Sequence, residues 1–348
     1  MRPLAPLLAL ALAAPGAAAA QDLAPVSFGT NWLPQAEHGG FYQALAEGRY
    51  EACGLDVTIV PGGPQVNNRA LLFAGRLDFY MGGDLLQPFA ALAEGIPTVA
   101  VAAIFQKHPQ VILAHPGKAE TFEDLKDLEI MVSDNAFASF YQWMMGAYGF
   151  TEEQRRPYTF SPAPFLADEG RAMQGYLTSE PYSIQKEAGF EPDVFLLADN
   201  GYSTYATLIE TMRGTLEERP EAVECFVSAS IEGWESYLDG DPEPGNALIR
   251  EANPEMTPER IAFAIDAMKR NGIVRSGDAE TMGVGAMTAE KVRDFHDLMV
   301  EAGVIEPLDD PEAVFDARFV GGAPAEDAGN TGDTEGVGAD EAASAPAE

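Results

Sequence analysis

Several corners of this sequence carry side chains able to hold a small molecule without reacting with it. Asn31-Trp32 closes an apolar stretch just ahead of Leu33-Pro34. An indole there offers a flat face for a ring, worth about 1 kcal/mol beyond its buried area, and Asn31 adds an amide donor and acceptor. The competing roles are a packed indole for Trp32 and a turn for Asn31. Glu37-His38 stands before a helical stripe, where His38 can donate to a ligand from the positive helix end, or else cap the helix or face solvent. Glu37 reads as a favourable N-terminal charge, and Tyr42, one turn on, as core before ligand contact. Gly82-Gly83 can bring backbone amides to a strand end. Further along, Ser133 to Phe137 sets Asn135 and Phe137 between a strand and a helix. Glu180-Pro181-Tyr182 is a similar corner, and Tyr202 and Tyr205 can wall a pocket or pack a hinge. A carboxylate at Glu180 suits a ligand rich in N–H donors and opposes nitrate or sulfonate by like charge.

Other chemistries lack their residues. There is no nucleophile elbow and no phosphate loop. His38, His108, His115 and His296 show no pair at metal-ligand spacing, and the two cysteines are wrongly spaced for zinc, so no cofactor is expected. Cys53 lies in a turn and Cys225 in an apolar helical run, which reads as two buried free thiols rather than a bridge. The formal charge of −34, from 55 acidic and 21 basic residues, argues against nucleic acid or an anionic membrane as partner.

The elements that must position these corners alternate strand and helix. An entry strand at 25–29, a helix to Tyr50 and a strand at 55–60 form one βαβ unit, with Asn31-Trp32 at the carboxyl end of its first strand, where open α/β sheets bind ligands. Pro61 to Pro64 is a hard turn. A helix at 66–74, a strand at 77–81, a helix opened by Gly82-Gly83-Asp84 at 85–93, and strands at 97–105 and 110–115 follow. A second α/β series runs from Thr121: strands at 129–132, 158–160, 174–178 and 193–197, and helices at 135–148, 164–173 and 180–188. After a strand at 205–212 the chain turns helical, with Pro220 at a helix start and Gly272 and Gly303 as stops. Residues 1–20 read as a cleavable secretory signal ending near Ala20, and 321–348 as a disordered acidic tail.

The segments NWLPQAEHGGFYQALAEGRYEACGLDVTI, RALLFAGRLDFYMGG, TSEPY and ERPEAVECFVSASIEGWESYL, taken with the order of elements, resemble the substrate-binding proteins of bacterial ABC importers. The nearest branch binds the thiamine pyrimidine precursor, with cousins for alkanesulfonates, nitrate and riboflavin-like compounds. The resemblance covers about residues 25–320 and implies an α/β, two-lobe type II periplasmic-binding-protein fold closing on ligand by hinge motion. Lobe 1 is expected at 25–114 plus 201–320, and lobe 2 at 115–200. It implies a periplasmic monomer that captures a small aromatic, nitrogen-rich compound and hands it to the ABC permease subunits of the inner membrane. The binding set would be Asn31, Trp32, His38, Gly82, Gly83, Asn135, Phe137, Glu180, Tyr182, Tyr202 and Tyr205. A sulfonate, nitrate or flavin-like ligand is the alternative, with Arg69 as the nearby cation for an anion. The superfamily also holds a fungal pyrimidine synthase with a Cys-rich iron motif. This chain has no Cys cluster, and a secreted enzyme is the lesser alternative.

Overall fold

The computed structural model describes residues 23–320; the expected signal segment 1–20 and acidic tail 321–348 lie outside the described residues. The first half of the chain runs β1 (Ala24–Gly29), α1 (Gly39–Ala46), α2 (Arg49–Ala52), β2 (Leu55–Val60), α3 (Asn68–Phe73), β3 (Phe79–Asp84), α4 (Leu86–Ala93), β4 (Thr98–Phe105) and β5 (Gln110–Ala114). Then come β6 (Glu129–Val132), α5 (Asp134–Phe137), α6 (Phe140–Tyr148), β7 (Arg155–Pro157), α7 (Ala163–Leu166), β8 (Arg171–Tyr176), α8 (Glu180–Ala188), β9 (Asp193–Leu196) and β10 (Ala206–Met212). The rest is helical: α9 (Arg213–Glu218), α10 (Pro220–Asp239), α11 (Glu243–Ala252), α12 (Pro258–Arg270), α13 (Ala279–Met282) and α14 (Ala289–Glu301).

The strands form two five-stranded sheets, ordered β2-β1-β3-β10-β4 and β7-β6-β8-β5-β9. β1 runs parallel to β2 and β3, and β6 runs parallel to β7 and β8, each pair joined by a crossover connection as parallel strands require. One strand in each sheet runs antiparallel to both neighbours: β10 between β3 and β4, and β5 between β8 and β9. These two are the strands the chain delivers on crossing from one sheet to the other. The architecture is therefore the two-lobe α/β arrangement of periplasmic binding proteins. The first crossing falls earlier than expected, because Gln110–Ala114 belongs to the second sheet and not to the lobe ending at 114. A strand that follows its predecessor after only four residues looks like a sheet neighbour in sequence, and only the pairing shows that it has changed sheet.

The lobes share their apolar interior. One cluster joins Phe28, Phe41 and Phe226 of lobe 1 to Val111, Met173 and Ile184 of lobe 2, and the other joins Phe89 and Phe295 to Ile130 and Trp143. α10 lies against α1 at contact distance, since a Cβ on Gly233 would meet the Gly40 carbonyl oxygen at 2.3 Å. Two glycines are thus what lets these helices cross so closely.

The same docking of α10 brings Cys225 to Cys53, the residue closing α2, and the two form a disulfide with Cα atoms 5.8 Å apart. Free thiols were expected from sequence; the pairing depends on a helix contact spanning 172 residues, which no local pattern encodes. Other boundaries differ too: the helix expected through Tyr50 ends at Ala46, ahead of Gly48 at φ 68°, and the one expected at 135–148 is broken between Phe137 and Phe140. The helix expected at 164–173 ends at Leu166, and Arg171–Tyr176 is instead the central strand β8. The strand expected at 158–160 is β7, three residues earlier, so Tyr158 and Phe160 lie in the loop beyond its carboxyl end.

Candidate functional site: a cleft between the lobes

The cleft, about 410 Å³, opens where the carboxyl ends of β1 and β3 face those of β7 and β8. Its Asn31-Trp32 corner is held from behind. Thr30 Oγ1 donates to the Trp32 carbonyl at 2.8 Å, and Gly62 N donates to Thr30 Oγ1 at 3.0 Å. Asn68 Nδ2 ties the ends of both adjoining strands by donating to the Thr30 carbonyl at 2.9 Å and the Val60 carbonyl at 3.0 Å. A Cβ at position 62 would stand 2.4 Å from the Thr30 oxygen, which is why the turn after β2 carries glycine there. The corner leaves the Trp32 ring 39% exposed at the cleft wall. Phe160 of lobe 2, 68% exposed, also lines the cleft, so each lobe contributes one uncovered aromatic ring.

Deeper in, polar groups dominate. His38 is fully buried, and neither ring nitrogen has a hydrogen-bond partner. Its side chain does not cap α1, and burial pushes its protonation down to about 3. It is a neutral imidazole with one donor and one acceptor uncommitted. Glu37 is buried beside it and accepts a hydrogen bond from Thr178 Oγ1 of lobe 2. Glu180 reaches the cleft from the first turn of α8, where Tyr176 N donates to its Oε2 at 2.6 Å. Burial raises the protonation of both carboxyls above the ordinary carboxylate range, and Glu37 pushes Glu180 further up by like charge. Gln87, Gln110 and Gln174 add amides. Ser133 N occupies Gln174 Oε1 at 2.6 Å, which leaves the Gln174 NH₂ as that side chain's remaining polar group. Among the described residues, none that lines the cleft is Lys or Arg.

Of the residues proposed from sequence, Asn31, Trp32, His38 and Glu180 line this cleft. The others lie elsewhere, each for a local reason. Gly82 and Gly83 are ladder residues of β3, with Gly82 packed on Glu210 and Gly83 N donating to Gln87 Oε1, so they form no amide cradle at a helix start. Asn135 is exposed on the short α5, and Phe137 lies under the Arg155 guanidinium, 4.2 Å from ring centre to Cζ. Tyr182 packs on Phe263 at 5.4 Å, and Tyr202 is buried between Trp143 and Phe295. Tyr205 donates to Asp278 and carries Lys291 over its ring, which is the hinge-packing alternative. Tyr42 is core. Arg69, the cation an anionic ligand would need, is paired with buried Glu210 at 3.1 Å. Sequence reasoning missed Tyr158, Phe160, Tyr176 and the glutamines. Phe160 was the findable one: an aromatic before Ser161-Pro162, just past a strand, repeats the Trp32-Leu33-Pro34 pattern.

A larger hollow of about 750 Å³ lies beside the disulfide, lined by Glu47, Glu221, Glu224 and Glu232 around Arg49. Its walls offer carboxylates and one already paired guanidinium, and no aromatic face. The cleft has the mixed apolar and polar lining of a small-molecule site.

The model of one protein family, described as NMT1/THI5 like, matches residues 35–243, more than half of the chain. The chain belongs to the NMT1/THI5-like family. It is similar to a riboflavin-binding protein, RibY, of Chloroflexus aurantiacus, at 23% identity over 89% of this chain and 90% of that one. It is similar to a formylaminopyrimidine-binding protein of Halalkalibacterium halodurans at 24% identity, over 72% and 80% of the two chains. Among solved structures, the periplasmic aliphatic sulphonate binding protein SsuA of Escherichia coli superposes with a TM-score of 0.60 at 17% identity, covering 91% of this chain and 98% of that one. A desulfurization enzyme, DSZB, shares the fold too, with a TM-score of 0.56 at 12% identity over 85% and 97% of the chains. Members of the NMT1/THI5-like family thus share this scaffold with proteins of differing ligands, and the cleft residues must carry any further distinction.

Proposed function

We propose that this chain is the extracytoplasmic solute-binding protein of an ABC importer, and that it closes on a planar, nitrogen-rich heteroaromatic compound. The observation that carries the ligand class is the pairing of Glu37 and Glu180, one from each lobe, around the unpartnered neutral His38. Burial opposes ionising either carboxyl and their like charge adds to this at Glu180; N–H donors or a protonated ring relieve that cost where a sulfonate or nitrate would add to it. Trp32 and Phe160 supply ring faces from opposite lobes, and the amides of Gln87, Gln110 and Gln174 supply directional contacts. An aminopyrimidine like the thiamine precursor fits this chemistry. A flavin-like ligand is the second reading, favoured by the volume of about 410 Å³, which a single six-membered ring would fill only in part.

The disulfide supports an oxidising compartment, in line with the secretory pattern of residues 1–20. Among the described residues no helix is long and apolar enough to cross a membrane. Binding and release need no covalent step. Both cysteines are tied in the disulfide, away from the cleft, so neither serves there as a nucleophile.

A thermal-shift screen against aminopyrimidines, flavins, alkanesulfonates and nitrate tests the reading. A rise in Tm with the amino-heterocycles or flavins, without turnover, is expected. Stabilisation by anions alone would sink the carboxylate argument, and turnover of a bound compound would favour an enzyme.

A further inference from the structure

Beside the cleft, the two lobes meet along a seam between α8 and α12. Arg260 Nη2 donates to Ser179 Oγ at 3.1 Å, and three residues further along each helix Phe263 and Tyr182 bring their rings to 5.4 Å. On α12 the spacing of three keeps Arg260 and Phe263 on one face, and they meet Ser179, just ahead of α8, and Tyr182 within it, so the seam has two contacts and not one. A third bond crosses nearby, from Thr178 Oγ1 to Glu37. Ser179 is the residue preceding α8, and its hydroxyl does not cap that helix, leaving it to Arg260. The next residue is Glu180. Arg260 is half-buried and does not line the cleft, yet its charge acts on both cleft carboxyls.

We propose that Arg260 is a positioning residue for ligand capture: it draws α8 onto lobe 1 through Ser179, sets Glu180 opposite Glu37, and supplies the positive charge that lets two carboxylates face one ligand. The inference rests on the heteroaromatic reading for its ligand but not for its geometry. Burial works against ionisation at both carboxyls, and Arg260 is the charged group acting in the other direction. Neutral donors favour ionisation as well, Thr178 Oγ1 at Glu37 and the Tyr176 amide at Glu180, while Glu37 opposes it at Glu180 by like charge. Glu37 is hydrogen-bonded to Thr178 and its charge acts on Tyr176, Tyr237 and Glu180, while Glu180 takes the Tyr176 amide and its charge acts on Tyr158 and Tyr176. Lys186 of α8 acts on Glu259 of α12, further along the same two helices. Without Arg260 the pair should hold a proton to higher pH, and the seam should lose its polar tie.

The experiment uses the full chain without ligand. Carboxyl carbons are followed by NMR through a pH titration of the wild type, Arg260→Met and Arg260→Lys, with Glu37→Gln and Glu180→Gln for assignment. Arg260→Met should raise the midpoints of both carboxyls, and Arg260→Lys should recover most of that rise. Small-angle scattering should show a wider distribution of lobe separations in Arg260→Met and in Ser179→Ala, which removes only the tie. With 4-amino-5-hydroxymethyl-2-methylpyrimidine as probe, the pH limit of binding should move up by the same interval. Unmoved midpoints in a folded Arg260→Met protein overturn the proposal. If that variant does not fold, an unchanged scattering profile in Ser179→Ala overturns it instead. Shifted midpoints with no probe binding in any variant uphold the positioning role and count against the aminopyrimidine reading alone.

Discussion

His38 and Trp32 line the cleft, and the proposed ligand class turns on these two side chains. The unfolded chain protonates His38 near its ordinary 6.5, whereas the folded protein resists until about 3. The folded form therefore binds fewer protons across that interval, so the stability tied to His38 is intact above 6.5 and is lost as pH falls toward 3, by up to a few kcal/mol. Glu37 runs the other way: its raised protonation favours the folded state below about 4.5 and that contribution fades as pH rises. Urea denaturation at stepped pH should thus give a shallower acid loss for His38→Gln than for the wild type; equal slopes would show that His38 is solvated. Trp32→Ala should weaken binding of a stabilising heterocycle about tenfold with little change in Tm, since the ring is part-exposed and its loss opens no core cavity. Unchanged affinity by calorimetry would remove the stacking role. These residues were readable because type and place coincided: an aromatic, an imidazole and a carboxylate, each at the end of a strand or the start of a helix. Gly82-Gly83 and Tyr202 had suitable types too, but ladder pairing and aromatic packing, which no local pattern reports, took them out of the cleft.

At the scale of elements, the largest surprise is the covalent tie between α2 and α10. It closes a loop with its ends 172 residues apart, so it restricts the unfolded chain far more than a local bridge would. The Cys53→Ala/Cys225→Ala double variant should lose about 2–5 kcal/mol in urea denaturation while keeping ligand affinity, because the bridge is remote from the cleft. A loss of affinity equal to the loss of stability would tie the bridge to the site. The βαβ opening unit was legible from the helical spacing of Phe41, Ala44 and Leu45 between two strand-like runs. The stretch from Pro157 to Met173 was not, because Pro, Ala and Phe there suit a helix as well as a loop, and the central strand β8 is set by partners on both sides. One residue of β10 shows what the cleft costs its scaffold. Thr207, a β-branched residue lining the cleft, sits at φ 49° in a strand whose register shifts two residues later.

For the whole molecule, a formal charge of −34 gives a field that opposes compaction and that salt screens. Raising ionic strength from about 0.01 M to about 0.15 M shortens the screening length from about 30 Å to about 8 Å and should raise Tm; an unchanged Tm would mean the acidic residues are too dispersed to repel. The two-lobe plan could be inferred from sequence because an α/β block interrupts a larger one, but that β5 belongs to the second sheet appears only in the pairing. The Cys53–Cys225 bridge has one more consequence for this plan. Both crossings and every strand of the second sheet lie between the two bridged residues, so the entire second lobe sits inside one covalent ring. A protease that nicks any loop from 54 to 224 would leave the two pieces joined. On a non-reducing gel the cut molecule should run as one band, and it should separate only once a thiol is added.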